Sequence, residues 1–485
     1  MTTLRTTIIA GLLLLVAGVL RAELPPDAQS AMEKGVLAAQ QQDFALAAKF
    51  FAEARESAPE APELLYNLGL AESKIPGREL RAIAWFGAYL AANPTAANAA
   101  AVKKQMDALE VKNQVSTTKF IKAVVDAAKL VPGDRRVAPL LYWSPDLYDG
   151  GSLHFAVLLL ARNGNSADAL KVAEDLKDAY FRSRAQGAVG LILAAAGDMA
   201  GARKCFDLAV RTAKKGGNGG YAIQQLAQDQ ARAGEIPAAF ETIDYLTEDW
   251  RTCRAKCAIA EAMVNNADIP TAMPLLAVVE QTAINIKDVD ALSGTYEVLG
   301  QAYARAGDLG AARKAAEKAG ELKSRTLSYI AGAKEIKDGW SSLAKSGDYA
   351  GALKAARKFS YDTDKLTAKS SIAGMQANSG DFTGALYTVL WEMRRSWESN
   401  RARGNVLRIQ SHRQSPCSVQ DWTTLSTKFL NSPIFTEFSS SLARMPQGDA
   451  LGAFYYLREN AEQVLDLREV VTQMMKQQAA KGPKL

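Results

Sequence analysis

The chain has 485 residues, 48% hydrophobic and 23% charged, ordinary globular values that exclude wholesale disorder and a polytopic membrane protein. Lys plus Arg (58) exceeds Asp plus Glu (52) by only +6, too little over this length to indicate a nucleic-acid binder. Two histidines, His154 and His412, leave little room for histidine-based metal or triad chemistry.

The first element is an address. Arg5 precedes an apolar run from Ile8 to Leu20, and Ala22 then supplies a small residue before Glu23. This pattern predicts a secretory signal peptide over residues 1–22, with the cut uncertain by several residues because Leu20 is large for its place. The run would reach only about 20 Å, against a hydrocarbon core of roughly 30 Å, so an uncleaved anchor is the minor reading. No cysteine follows the run, which argues against a lipoprotein. The expectation is an exported protein, periplasmic or secreted, of a bacterial envelope.

Residues 27–112 read as two helix hairpins and a following helix near Ala99–Val111. A second helical stretch near Thr117–Leu130 opens a connector of residues 113–151. That connector carries Val131-Pro132-Gly133-Asp134 and the aromatics Tyr142, Trp143 and Tyr148. Such rings either form an exposed binding loop or pin a long loop to the body.

From residue 152 to about 395 one phrase recurs: a small or polar residue, Gly, an acid, an apolar residue, then an Ala-rich run. It stands at Gly197-Asp198, Gly234-Glu235, Gly307-Asp308, Gly347-Asp348 and Gly380-Asp381. Ala267-Asp268 replaces the glycine, and Asn163-Gly164 opens a looser copy. Successive anchors from Gly164 lie 33, 37, 33, 40, 40 and 33 residues apart, a solenoid period. Glycine supplies the left-handed residue that closes one helix, and the acid sits where the next helix's free N–H groups and dipole favour an anion. Each copy is therefore a helix hairpin, seven in all. An extra seven residues is close to two helical turns, so a helix can lengthen without turning its apolar face away. The step of 37 contains the loop-like Gly216-Gly217-Asn218-Gly219-Gly220.

The residues resemble the tetratricopeptide repeat (TPR) family, a 34-residue helix pair with characteristic small and aromatic positions. Tyr296, Leu299, Gly300, Tyr303, Ala312 and Ala319 fall on its positions 4, 7, 8, 11, 20 and 27. Gly35, Ala47, Phe51, Ala54 and Pro59 fall on 8, 20, 24, 27 and 32, and the next glycine is Gly69, 34 residues on. Ala82, Phe86, Tyr89 and Pro94 continue that copy one residue late, and Gly190, Ala202, Phe206 and Ala209 repeat the pattern. After Gly300 the register calls for a small residue where Trp340 stands. Small residues at these places let two helices approach to about 8–10 Å with a bulky partner in the notch. The implied fold is all-α: a superhelical solenoid of stacked antiparallel helix hairpins with a C-terminal helical cap.

Residues 396–485 depart from the repeat. Arg394, Arg395, Arg401, Arg403, Arg408 and Arg413 stand among Trp391 and Trp397 with only Glu392 and Glu398 as acids. This is either an anionic-surface site, for a cell-wall polymer or lipid headgroups, or a solvated helix face. Residues 450–475 read as one amphipathic helix, expected to cover the last repeat because solenoids need a cap.

Chemistry is sparse. There is no P-loop, no Gly-x-Ser-x-Gly and no His-Glu-x-x-His. Cys205, Cys253, Cys257 and Cys417 are too few and scattered for a disulfide scaffold; Cys253 and Cys257 share a helix face, but no further ligands lie nearby for a metal. His154, flanked by apolar residues, reads as a packed helical histidine. Trp397-Glu398-Ser399-Asn400 faintly resembles the acid motif of wall-cleaving transglycosylases. The segment that follows it in that family is missing, and neighbouring arginines would depress the acid's pKa. The expectation is a non-catalytic protein with no cofactor and no metal.

The TPR resemblance implies a protein or peptide partner on the concave surface, lined by first helices at positions near 2, 5, 9, 12 and 13. Carried onto matching repeats, these are Tyr221, Gln224, Gln228, Arg232, Glu297, Gln301 and Arg305. They are polar and long enough to hold an extended chain, yet each is equally an ordinary solvated residue. Two other roles stay open: an envelope protein held to an anionic surface by the arginines of 394–413, and an accessory subunit of a secretion or polymer-export assembly.

Overall fold

The computed structural model describes residues 24–130, 151–265, 268–359, 362–393, 406, 417–430 and 450–480. The described residues are almost wholly helical and contain no strand. They fall into two compact units. One comprises Met1–Lys122, Ser411–Asp449 and Glu459–Leu485; the other comprises Ala123–Gln410 and Ala450–Arg458.

In the first unit, α1 (Pro26–Gln40), α2 (Phe44–Ser57), α3 (Pro62–Ser73) and α4 (Glu79–Ala92) pack in succession as two hairpins. Their close approach depends on glycine. A Cβ on Gly35 would lie 2.5 Å from Phe51 Cε1, and one on Gly69 would lie 2.6 Å from Phe86 Cδ1. The partner rings thus fill the space that a side chain would need. Helix α4 is buried on all sides, as its apolar run Leu80–Leu90 requires.

Two expectations are corrected in this unit. The helices near 99–111 and 117–130 are one helix, α5 (Ala99–Leu130), because no Gly or Pro interrupts them. The division between the units falls inside α5, after Lys122. Part of the C-terminal cap serves the N-terminal pair: α20 (Val419–Thr424), continued by a π-helical turn Leu425–Phe429, packs on α4. Trp422 is fully buried against Gly87, where a Cβ would meet its ring at 2.5 Å. The terminal helix α21 (Ala450–Ala480) bonds the same unit, Thr472 Oγ1 donating to Glu110 Oε1 at 2.7 Å and Gln478 Nε2 to the Gly87 carbonyl at 3.2 Å.

The second unit is a row of hairpins. Its first helices are α6 (Gly151–Arg162), α8 (Ala179–Ala195), α10 (Gly219–Ala233), α12 (Asp249–Asn265), α14 (Val289–Ala306), α16 (Lys323–Lys345) and α18 (Asp362–Ser379). Each packs on the next first helix. The second helices are α7 (Ser166–Glu174), α9 (Met199–Ala213), α11 (Ile236–Ile243), α13 (Ile269–Ala283), α15 (Leu309–Lys318), α17 (Tyr349–Ala356) and α19 (Phe382–Tyr387). Each packs on its own first helix and, from α7 to α17, on the first helix of the following hairpin. This is the TPR-like solenoid connectivity, in which no hairpin buries its apolar stripe alone.

The recurring phrase does what helix ends demand. Gly164, Gly197, Gly234, Gly307, Gly347 and Gly380 all have φ between 86° and 102°, the left-handed region that ends a helix. The Asp Oδ1 that follows accepts from the backbone N–H three residues on: Asp198 from Gly201 at 2.9 Å, Asp308 from Ala311 at 2.9 Å, Asp381 from Gly384 at 2.8 Å. Glu235 makes no such bond, its carboxylate standing one methylene further out. The long steps are taken up by longer helices, α13 with 15 residues against 8 in α11, and α16 with 23. Trp340 is buried in α16 with Ala344, Ala352, Ala356, Ala368 and Ile372, so the extended helix has its own large-residue packing.

Candidate functional site

The surface to which the sequence points is the line of first helices in the second unit. The structure sorts the seven expected residues into two sets. Tyr221 and Arg232 are exposed and Gln228 is half-buried on α10. Tyr221 stacks on Tyr180 of α8 with ring centroids 5.5 Å apart, and Phe181 meets Tyr180 edge-on at 5.0 Å. Arg232 lies 3.5 Å from Asp229.

Two of the others, Glu297 and Arg305, join one hairpin to the next. Glu297 is 6% exposed and holds Arg325 Nε of α16 at 2.6 Å; Gln301 Nε2 donates to the same carboxylate at 3.5 Å. Arg305 pairs with Glu261 of α12, and its Nε donates to the Tyr329 hydroxyl of α16 at 2.8 Å. Gln224 is buried, its Oε1 without a hydrogen-bond partner. Glu297 and Arg305 thus reach across to neighbouring first helices and Gln224 is buried, while Gln301 is half-buried and bonds within its own helix.

Several residues of the same face were not singled out from the sequence. Arg184 of α8 reaches Asp229 of α10 at 2.9 Å and Gln225 Oε1 at 3.3 Å. On α12, the Trp250 ring has the Arg251 guanidinium 4.2 Å and the Arg254 guanidinium 5.2 Å from its centroid. The repeat register offered a signal. Arg184, Tyr221, Arg254 and Gly294 each stand six residues before Gly190, Ala227, Ala260 and Gly300, the small residues that share one packing position.

The remaining candidates separate cleanly. Arg394, Arg395, Arg401, Arg403 and Arg408 lie outside the described residues, as do His412, Glu398, Tyr142, Trp143, Tyr148 and residues 1–22. Cys205, Cys253 and Cys257 are free thiols, and all four cysteines are buried. Burial pushes the Cys253 thiol up to about 11 and Cys257 well above its ordinary value, so both are small core groups. His154 is buried in α6. Among the described residues no cluster of His, Cys, Asp and Glu has the makings of a metal site, and no helix is long and apolar enough to cross a membrane.

No family model matches the chain, and no curated protein matches it either. Among solved structures, Ton1535 from Thermococcus onnurineus NA1 is similar at 13% identity and a TM-score of 0.29, over 65% of this chain and 99% of that one. The TPR domain of P58(IPK) is similar at 12% identity and a TM-score of 0.18, over 93% and 99%. A circular tandem repeat protein with novel repeat topology is similar at 12% identity and a TM-score of 0.16, over 97% and 99%. The repeat assignment stands on the hairpin geometry above.

Proposed function

We propose that this chain is an exported, non-catalytic scaffold that holds an extended segment of another protein along the first helices of its second unit. The supporting observation is the ordered line of first helices α6–α18, each packed on the next. A groove of this kind offers polar groups and aromatic faces at successive repeats, which is what an extended chain can use. Tyr221, Gln228, Arg232 and Gln301 are the sequence-derived residues still accessible to such a partner, while Glu297 and Arg305 are engaged with neighbouring helices.

The test is site-specific photocrosslinking in the cells that make the protein. A crosslinking residue at Tyr221 or Arg232 should give a defined adduct. The same residue at Lys204 of α9 or Lys314 of α15, exposed on second helices, should give no adduct with another protein. Adducts from the second helices alone, or from no position, would refute the reading.

A further inference from the structure

Among the second helices, α13 differs from its neighbours. It turns Pro270, Pro274, Ala277, Val278, Gln281 and Ile284 to solvent. Its one charged residue, Glu280, is held by Lys318 of α15 at 3.0 Å. Val278 is 44% exposed and Ile284 70%. The other second helices are charged on their exposed positions, as with Arg203 and Lys204 of α9, Arg313 and Lys314 of α15, and Lys354 of α17. Pro274 sharpens the contrast. It stands inside the helix, where it lacks the N–H that would bond the Pro270 carbonyl, and its exposed ring returns no packing to the isolated chain. An apolar stripe of this kind marks a surface that another molecule covers.

The flanks of the stripe say which molecule. On one side, α11 and the loop after it (residues 235–249) hold five acids and no base. Arg203 engages Glu241 and Arg251 engages Glu248, but Asp244, exposed at the end of α11, makes no ion pair among the described residues. On the other side, Arg313 and Lys314 of α15 are exposed and make none either. The row α11, α13, α15 therefore runs acidic, apolar, basic. When two copies of such a face meet across a two-fold axis running along α13, each α11 lies on the other copy's α15 and each stripe lies on its twin. Opposite charges then face each other on both sides. An axis running across α13 would instead set acid on acid and base on base.

We infer that α13 is a self-association surface, on which a second copy of this chain docks with Val278 and Ile284 at the centre and Asp244 opposite Arg313 and Lys314. Helices of 8, 15 and 10 residues set about 10 Å apart give a patch of roughly 500 Å² per copy. The pair would bury about 1,000 Å², the small end of specific interfaces, so the dimer is reversible and dissociates at micromolar concentrations. It uses second helices only, and so stands or falls independently of the scaffold reading.

The test is sedimentation velocity of the full chain over a micromolar concentration series. A monomer–dimer equilibrium is expected. Val278→Glu, at an exposed position, should weaken it at least tenfold with an unchanged helical melting curve. Leu37→Glu in the first unit, where the leucine is 58% exposed, should change it less than twofold. Arg313→Glu combined with Lys314→Glu should weaken the dimer at least fivefold, and adding Asp244→Arg to that pair should recover most of the loss. A chain that stays monomeric throughout, a dimer indifferent to Val278→Glu, or charge reversals that Asp244→Arg fails to rescue would overturn the inference. So would a monomeric chain that binds phosphatidylcholine vesicles through Val278, which would assign the stripe to lipid.

Discussion

Gly69→Ala tests the packing device that sets the repeat. The added methyl would lie 2.6 Å from both Cδ1 and Cε1 of Phe86, whereas carbons in contact prefer about 3.5–4.0 Å. Phe86 is fully buried and its ring is backed by Tyr66 at 5.9 Å between centroids, so it must retreat by about 1 Å into occupied space. Overpacking of this kind costs about 1–3 kcal/mol. Alanine over glycine in a helix interior restores about 1 kcal/mol. The expected net loss is about 1 kcal/mol, reaching about 2 if the ring cannot shift. In a Phe86→Leu background the clash is absent, so the same substitution should be neutral or stabilising. Urea unfolding followed by tryptophan fluorescence reads this unit through Trp85 and Trp422, both fully buried there. Stabilisation by Gly69→Ala in both backgrounds would refute the notch.

Three further outcomes are expected. None of the four thiols should react with a disulfide reagent at pH 8 in the native protein, because labelling needs a thiolate and burial raises the pKa of Cys205, Cys253 and Cys257; all four should react in denaturant. Asp308→Ala should destabilise the second unit by about 0.5–2 kcal/mol in thermal melts by removing the bond to the Ala311 N–H, while Asp308→Asn should cost much less. Glu392 is pushed up by burial, but hydrogen bonds from Arg357 and Lys369 and their charges outweigh this and hold its carboxyl below the usual range. Its contribution is thus complete above the ordinary carboxylate pKa and is lost as pH falls through the depressed one. Glu392→Gln should flatten the acid limb of the stability profile and leave the neutral limb parallel.

Helix ends were legible because their chemistry is local. A glycine in the left-handed region and an aspartate capping three residues on are written in adjacent letters, as at Gly307 and Asp308. The notches at Gly35, Gly69 and Gly190 were legible for the same reason, since each meets an aromatic 16 or 17 residues along the same hairpin. What the terminal segment covers was not legible. The periodicity of 450–475 announces an apolar face but not its partner, and Thr472 finds Glu110 across 362 residues. The binding face was half-legible: first-helix positions were located, but Glu297 and Gln228 are equally polar in sequence. Only the next hairpin decides that Glu297 is taken by Arg325 and Gln228 is left accessible.

The account depends most on the hairpins of the second unit lying in a row. Spin labels at Lys204, Glu241, Gln281, Lys314 and Lys354, exposed on α9, α11, α13, α15 and α17, allow their separations to be measured by pulsed electron resonance. With helices spaced about 8–10 Å apart, distances from Lys204 should increase at each successive label. A distance from Lys204 to Lys354 no longer than that to Gln281 would mean that the hairpins gather round one centre, and the shared face would not exist.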